Sequence, residues 1–240
     1  MEILVGIAKT NKYAVSESGD TLEVVERPAG GVSVVLSDGQ TSGHGAKLIS
    51  SMVVRKVISL LAEGVRDGAA ARAASDYLYT ERNGKVSACL NILSADLQTS
   101  TIVITRNNPT PIFIATNDRI ECLSGESSPI GTSRNMRPAI TEVPLEAGTT
   151  IVMFTDGVNF AGDRYGQRLD ICTLLHALLE DQIPTSQLIA DTVLQEAIRL
   201  DQGRPNDDMS VVALRVSYGA KDSIRRMTVR LPVGSYFPQN

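Results

Sequence analysis

Two hydrophobic spacings take turns along this chain. Residues 3–9, 22–26 and 32–37 alternate apolar and polar positions closely enough for strands, and turn-rich links at 16–20 and 28–31 separate them. Leu48, Ile49, Met52, Val53, Val57, Leu60 and Leu61 then recur at helical spacing, and Gly64 stands where a C-terminal cap belongs. Asp67 is placed to cap a second helix, dense in alanine over 69–74 and ended by Asn83-Gly84. Strand patterns return over 86–93, 101–105, 112–115, 119–123 and 149–154. Turns divide them at 96–100, Asn107-Asn108-Pro109, Asn117-Asp118 and Ser128-Pro129-Ile130-Gly131. Two more helices, about 168–179 and 186–200, are split by Pro184, and a last strand spans 209–216. Strands joined by short hairpins, with helices in pairs, predict antiparallel sheets covered by helices rather than a parallel βαβ fold. So many short strands would crowd one sheet, which favours two packed sheets with helices outside.

Composition narrows the class. With 240 residues, 42% hydrophobic and 21% charged, the chain has the balance of a globular domain with a substantial core. Its net charge of -4 and the lack of a basic stripe outside the tail speak against nucleic acid as partner. No apolar run is long enough to cross a bilayer and no signal peptide is evident, so neither membrane nor export is expected. Cys89, Cys122 and Cys172 are scattered and form no CxxC pair. They read as buried reduced thiols in a cytoplasmic protein, without a disulfide framework or zinc site.

The candidate chemistry lies where strands end. The run Ile151-Val152-Met153-Phe154-Thr155 enters Asp156-Gly157, and Val34-Val35-Leu36-Ser37 enters Asp38-Gly39. Asp207-Asp208 precedes the last strand. One Asp-Gly alone is a turn that caps its own backbone. Two of them plus an Asp-Asp beside a strand are carboxylates converging on hard cations, which prefer oxygen ligands.

In order, Ser18-Gly19-Asp20, Ser37-Asp38-Gly39 with Gly43-His44-Gly45, Thr155-Asp156-Gly157 and Asp207-Asp208-Met209-Ser210 resemble the motif series of the PPM (type 2C) metal-dependent protein phosphatases, in their bacterial SpoIIE-like branch. Asn107-Asn108 with Pro111 and Ser128-Pro129-Ile130-Gly131 supply matching context. The resemblance implies an α+β fold, an α-β-β-α four-layer sandwich of two antiparallel sheets flanked by helix pairs, over residues 1–217, with 218–240 an extension of edge strand and tail. It implies two Mn²⁺ or Mg²⁺ ions. Asp38 would bridge them, the Gly39 carbonyl would bind one, Asp156 and Asp207 would bind the first, and Asp20 would serve the second directly or through water. The nucleophile would be hydroxide between the ions, with no catalytic side chain required. The reaction implied is hydrolysis of phosphoserine or phosphothreonine on a protein in a bacterial signalling or partner-switching pathway. The partner would be a phosphorylated anti-sigma antagonist or stress-signalling scaffold, and the enzyme would stand alone in the cytoplasm.

Some positions depart from the series. The place after the first Asp-Gly, often histidine in the family, is Gln40; His44 is a candidate acid, set against a local role in starting the helix. The phosphate-binding arginine of many members has no match, and Lys9 and Lys12 are the first cations that could replace it. Of Asp207 and Asp208 the resemblance selects Asp207 as the ligand and makes Asp208→Asn a mild change. A haloacid-dehalogenase-type phosphatase would need a second aspartate two residues after its nucleophile, where this chain has Gln40 and Val158. A non-catalytic PPM-fold module is the other alternative, but such modules lose metal ligands and this chain keeps four carboxylates. In the tail, Arg225, Arg226 and Arg230 set docking of an acidic partner against a solvated edge strand.

Overall fold

The computed structural model describes residues 1–116, 119–180, 183–219 and 223–232. Among the described residues ten strands form two antiparallel sheets. One runs in the order β1 (Glu2–Thr10), β10 (Met209–Ser217), β9 (Thr150–Phe154), β6 (Ile112–Ala115), β7 (Ile120–Leu123). The other runs β2 (Asp20–Glu26), β3 (Gly31–Gly39), β4 (Ala88–Asp96), β5 (Thr101–Asn107), β8 (Ala139–Pro144). The sheets pack face to face. Val34, Leu36, Leu93, Ile102 and Ile104 from one meet Ile114, Ile151, Met153, Val212 and Leu214 from the other. The alternate residues of the same strands face outward onto helices, so these strands read as continuous apolar runs, buried on both sides.

Helices α1 (His44–Ala62) and α2 (Asp67–Arg82) cover the second sheet, with Val53, Val57, Leu61, Ala70, Ala74 and Leu78 against Val35, Leu90 and Ile92. Helices α4 (Ile171–Glu180) and α5 (Ser186–Leu200) cover the first, with Leu175, Ile189, Val193 and Ala197 against Val152, Phe154, Val211 and Ala213. The result is the expected four-layer α-β-β-α sandwich. A four-residue helix α3 (Asp156–Asn159) and a short 3₁₀ turn (Asp163–Tyr165) link β9 to α4.

Several local expectations are corrected. Asp67 does not cap α2. Arg66 occupies the cap position, while the Asp67 carboxylate accepts from the Arg27 guanidinium at 2.6 Å. Both groups are buried, and a buried guanidinium requires its counter-charge more than a helix end requires a cap. Helix α4 begins at Ile171 rather than near 168, because the Asp170 side chain accepts from the backbone and hydroxyl of Thr173. The edge strand β8 has no counterpart in the periodicity. Its exposed positions include Ile140 and its inward ones Thr141, so hydrophobicity does not alternate with facing. The cysteines are not uniformly buried: Cys122 is exposed and Cys89 and Cys172 are partly covered. Cys122 sits on β7, an edge strand that the helices only partly overlie. Residues 223–232 form no strand, and Ile224, Met227, Val229 and Leu231 lie exposed, so no apolar face there is buried to hold one. The turn expected at Asn117-Asp118 and the end of the tail, 233–240, fall outside the described residues.

Candidate active site

The carboxylates gather at one end of the sandwich because strands from both sheets end there. Asp20 opens β2 and faces Asp38 directly across the β2–β3 ladder. Asp38 and Gly39 finish β3. A side chain at Gly39 would meet the Ala46 carbonyl at 2.1 Å, so only glycine lets the first turn of α1 lie on the strand end. In the facing sheet, Phe154 of β9 pairs with Val211 of β10. The residue after β9 and the residues before β10 are therefore neighbours, which sets Asp156 beside Asp207 and Asp208. Gly157 is required for this: a Cβ there would lie 2.2 Å from the Asp208 carbonyl.

Asp38, Gly39, Asp156 and Asp207 line one cavity of about 410 Å³, together with Lys12, Gln40 and Cys89. Asp20, opposite Asp38 in the ladder, does not line it and is fully buried. Its Oδ2 accepts from the Thr155 hydroxyl at 3.0 Å and the Ser210 hydroxyl at 2.6 Å, both from the opposite sheet, while Oδ1 has no partner. Asp208 points the other way from Asp207, as successive side chains entering a strand must. Its Oδ1 accepts from the Lys12 backbone N–H at 2.9 Å and its Oδ2 from that of Gly19 at 2.7 Å.

The electrostatics follow from crowding like charges in a largely buried site. Burial pushes the Asp38 carboxyl up to about 9, and Asp20, Asp156, Asp207 and Asp208 add to the rise. Burial pushes Asp20 up to about 6 against its hydroxyl hydrogen bonds. Asp156 is raised by burial and by Asp207, with opposing pulls from the Gly157 N–H and Asp38. Among the described residues no ion pair engages Asp38, Asp156 or Asp207. The Cys89 thiol, pushed up to about 12 by burial and by Asp38, stays neutral and is no nucleophile.

His44, the candidate acid, does not line the cavity. It starts α1 with its ring exposed and its Nδ1 2.9 Å from Glu17 Oε2. His176 is exposed on α4. Asn107 donates to the Ser128 carbonyl and Asn108 accepts from the Thr110 backbone, so this turn ties loops together. Thr155 and Ser210 carry no role legible from spacing, although both stand inside the motifs; a hydroxyl beside a strand-end aspartate is the available signal. Lys47 has no such signal, and its ammonium donates to the Asp20 carbonyl at 2.9 Å, as that of Lys9 does at 2.6 Å. Of the two cations weighed for phosphate, Lys12 lines the cavity, whereas Lys9 is held against the backbone of Asp20.

A family model described as Stage II sporulation protein E (SpoIIE) matches residues 28–217. The proteins named Stage II sporulation protein E of Priestia megaterium and Bacillus subtilis (strain 168) are each 25% identical over 213 residues, or 89% of this chain. Those residues make up 36% and 26% of the two relatives, so the chain spans about a third or less of their length. Among solved structures, the PP2C phosphatase domain of SpoIIE from Bacillus subtilis with a fragment of its regulatory domain superposes with a TM-score of 0.76, at 24% identity, over 90% of this chain and 64% of that one. The Mycobacterium tuberculosis serine/threonine phosphatase PstP gives 0.70 at 15% identity, covering 91% and 100%. RsbX in complex with magnesium gives 0.70 at 14% identity, covering 90% and 96%. The fold is thus that of the PP2C phosphatase domains, and since the matched span runs from before β3 to the end of β10, the chain belongs to the SpoIIE family.

Proposed function

We propose that this chain is a metal-dependent phosphatase that removes phosphate from serine or threonine of a protein. One observation carries the reading: carboxylates from both sheets line one cavity with no ion pair among the described residues, next to a buried carboxylate whose Oδ1 has no partner. Among the described residues no three His, Cys, Asp or Glu side chains stand as a ready-made coordination group. The fit to a metal therefore rests on donor chemistry, and hard dications take such oxygen donors. Asp38 would serve two ions, the Gly39 carbonyl one of them, Asp156 and Asp207 the first, and Asp20 the second, directly or through water. Bound there, Mn²⁺ or Mg²⁺ would polarise the phosphoryl group and make water nucleophilic near neutral pH. The rest falls to the chain. Thr155 and Ser210 fix the Asp20 carboxylate and keep one oxygen of it available. Asp208 holds the β1–β2 loop through Lys12 and Gly19, and the Lys12 ammonium is the cation available to a phosphoryl oxygen.

Residues 1–217 are assigned to the catalytic unit and 218–240 to an extension outside it. The sporulation and stressosome settings of similar proteins support a signalling phosphoprotein as substrate, of the anti-sigma antagonist or scaffold kind. Among the described residues no helix is long and apolar enough to cross a membrane; a cytoplasmic site of action is part of the same proposal.

The test is turnover of a phosphoserine peptide and a small phosphomonoester during Mn²⁺ and Mg²⁺ titration. Turnover should be absent in chelator and rise with metal, and Asp38→Asn should lower it by about a hundredfold or more, as losses of transition-state charge stabilisation do. Full turnover in chelator would overturn the metal assignment. Metal binding without turnover of either substrate would make this a non-catalytic module.

A further inference from the structure

A second concavity, of about 610 Å³, adjoins the carboxylate cavity. It is lined by Lys12, Tyr13, Arg164, Tyr165, Arg204 and Asn206 with Pro205, and Lys12 lines both spaces, so one opens beside the other. Three cations and no carboxylate face it, in a chain whose net charge is -4. Arg164 and Arg204 make no ion pair among the described residues. Arg204 lies over the Tyr13 ring at 5.3 Å, and Arg164 donates to Asn206 Oδ1 at 3.3 Å. Neither contact neutralises a guanidinium, and both leave N–H groups for a ligand.

The groove is also built to hold its shape. Its walls are three loops from distant parts of the chain, following β1, following α3 and preceding β10. Asp201, fully buried, joins two of them. Its Oδ1 accepts from the Gly162 N–H at 2.9 Å and the Asn206 side chain at 3.0 Å, and its Oδ2 from the Asn206 N–H at 2.8 Å. The third loop is tied on where the Tyr13 N–H donates to the Pro205 carbonyl at 2.9 Å. A buried carboxylate with both oxygens engaged fixes the loops that carry Arg164 and Arg204, so little ordering remains to be done when a ligand arrives.

We propose that this groove is a docking subsite for acidic side chains next to the phosphorylated residue of the substrate protein. The inference rests on the phosphatase reading and deepens it: substrates would be phosphoserine or phosphothreonine segments flanked by Asp or Glu. The arginines offer paired N–H donors matched to carboxylates, and the tyrosines offer flat faces to the peptide. Lys12, at the junction, connects the groove to the phosphate.

Two phosphoserine peptides that differ only in carrying three Asp or three Ala beside the phosphoserine test this with the Mn²⁺-loaded protein. The Asp peptide should have a kcat/KM higher by roughly tenfold at low salt, mainly through KM, and the preference should shrink as KCl is raised. In Arg164→Ala/Arg204→Ala, with its fold checked by thermal melting, the ratio should fall to near one, and Arg204→Glu should turn it toward a Lys-flanked peptide. Equal kcat/KM for the two peptides, or a ratio unchanged in the double variant, would overturn the proposal. Fluorescence anisotropy with the unphosphorylated Asp peptide separates the two readings, because it needs no turnover. If no phosphoester is hydrolysed, the phosphatase reading fails, yet binding that is lost in the double variant still supports the groove. Absence of peptide binding, or equally tight binding of a single-stranded DNA oligonucleotide, would overturn it.

Discussion

The backbone N–H groups of Lys12 and Gly19 both point at Asp208, one to each oxygen. An asparagine there could accept from only one of them and would turn its NH₂ toward the other. Family resemblance made Asp208→Asn a mild change, and this geometry revises that expectation. Asp208→Asn should destabilise the metal-free protein by about 1–3 kcal/mol, the cost of stranding a buried donor. Asp207 lines the cavity, and its Oδ1 accepts one N–H, that of Asp208 at 2.9 Å, which an asparagine carbonyl can still accept, so Asp207→Asn should leave the metal-free melting temperature nearly unchanged and weaken metal binding instead. Melting curves in chelator and metal titrations of both variants decide the matter; the reverse pattern would exchange the two roles. At this scale the aspartates were legible because each sits at a strand end beside glycine or a second aspartate. Thr155, Ser210 and Lys47 were not, because what distinguishes them is a partner far away in the chain, and spacing along the chain carries no trace of that.

Elements reach their places through glycines that serve different ends. Gly6 lies in β1 where α5 begins, and a Cβ there would be 2.2 Å from the Ser186 carbonyl group, far from any candidate ligand. Gly157 lets α3 turn against Asp208 and so sets Asp156. Alanine at either position overpacks against backbone, which costs about 1–3 kcal/mol or more. Gly6→Ala should lower the melting temperature and leave metal affinity close to that of the parent, whereas Gly157→Ala should lower both. Calorimetric metal titration at a temperature where both variants are folded checks this, and equal loss of affinity in the two would show that the site responds to the sandwich as a whole. The major elements could be read from the chain because each buries a full apolar face or stripe. Strand β8 could not, since its exposed positions are as apolar as its covered ones, and α3 is one turn set by the Asp-Gly that also ends the strand. The tail read as an edge strand because its residues alternate, but alternation without a surface to cover forms no strand in 223–232.

The two sheets of the molecule each bring negative charge to the same end. Asp20 and Asp38 come from one, Asp156, Asp207 and Asp208 from the other, so closing the sandwich concentrates carboxylates that the unfolded chain keeps apart. The folded-state pKa of Asp38 is about 9 and that of Asp20 about 6, both above the ordinary 3.8, and Asp156 is raised as well. For groups raised on folding, the folded state holds more protons than the unfolded one. Their stabilising contribution is complete below the ordinary carboxylate range and is lost as pH climbs through the folded values. Without divalent cations the protein should therefore lose stability steadily from about pH 4 toward pH 9. A cation bound among these carboxylates reverses the balance. It favours their ionised form, links donors from both sheets, and stabilises the fold by mass action, by about 4 kcal/mol at a thousandfold excess over Kd. The gain in melting temperature on adding Mg²⁺ to chelator-treated protein should thus be larger at pH 8.5 than at pH 6. Asp38→Asn, which removes the most strongly raised carboxylate, should flatten the metal-free pH profile and shrink the Mg²⁺ gain together. Differential scanning calorimetry across pH, with and without Mg²⁺, makes the comparison. A metal-free protein that grows more stable from pH 6 to 8.5, or a Mg²⁺ gain independent of pH, would mean that these carboxylates do not share one cation site between the sheets.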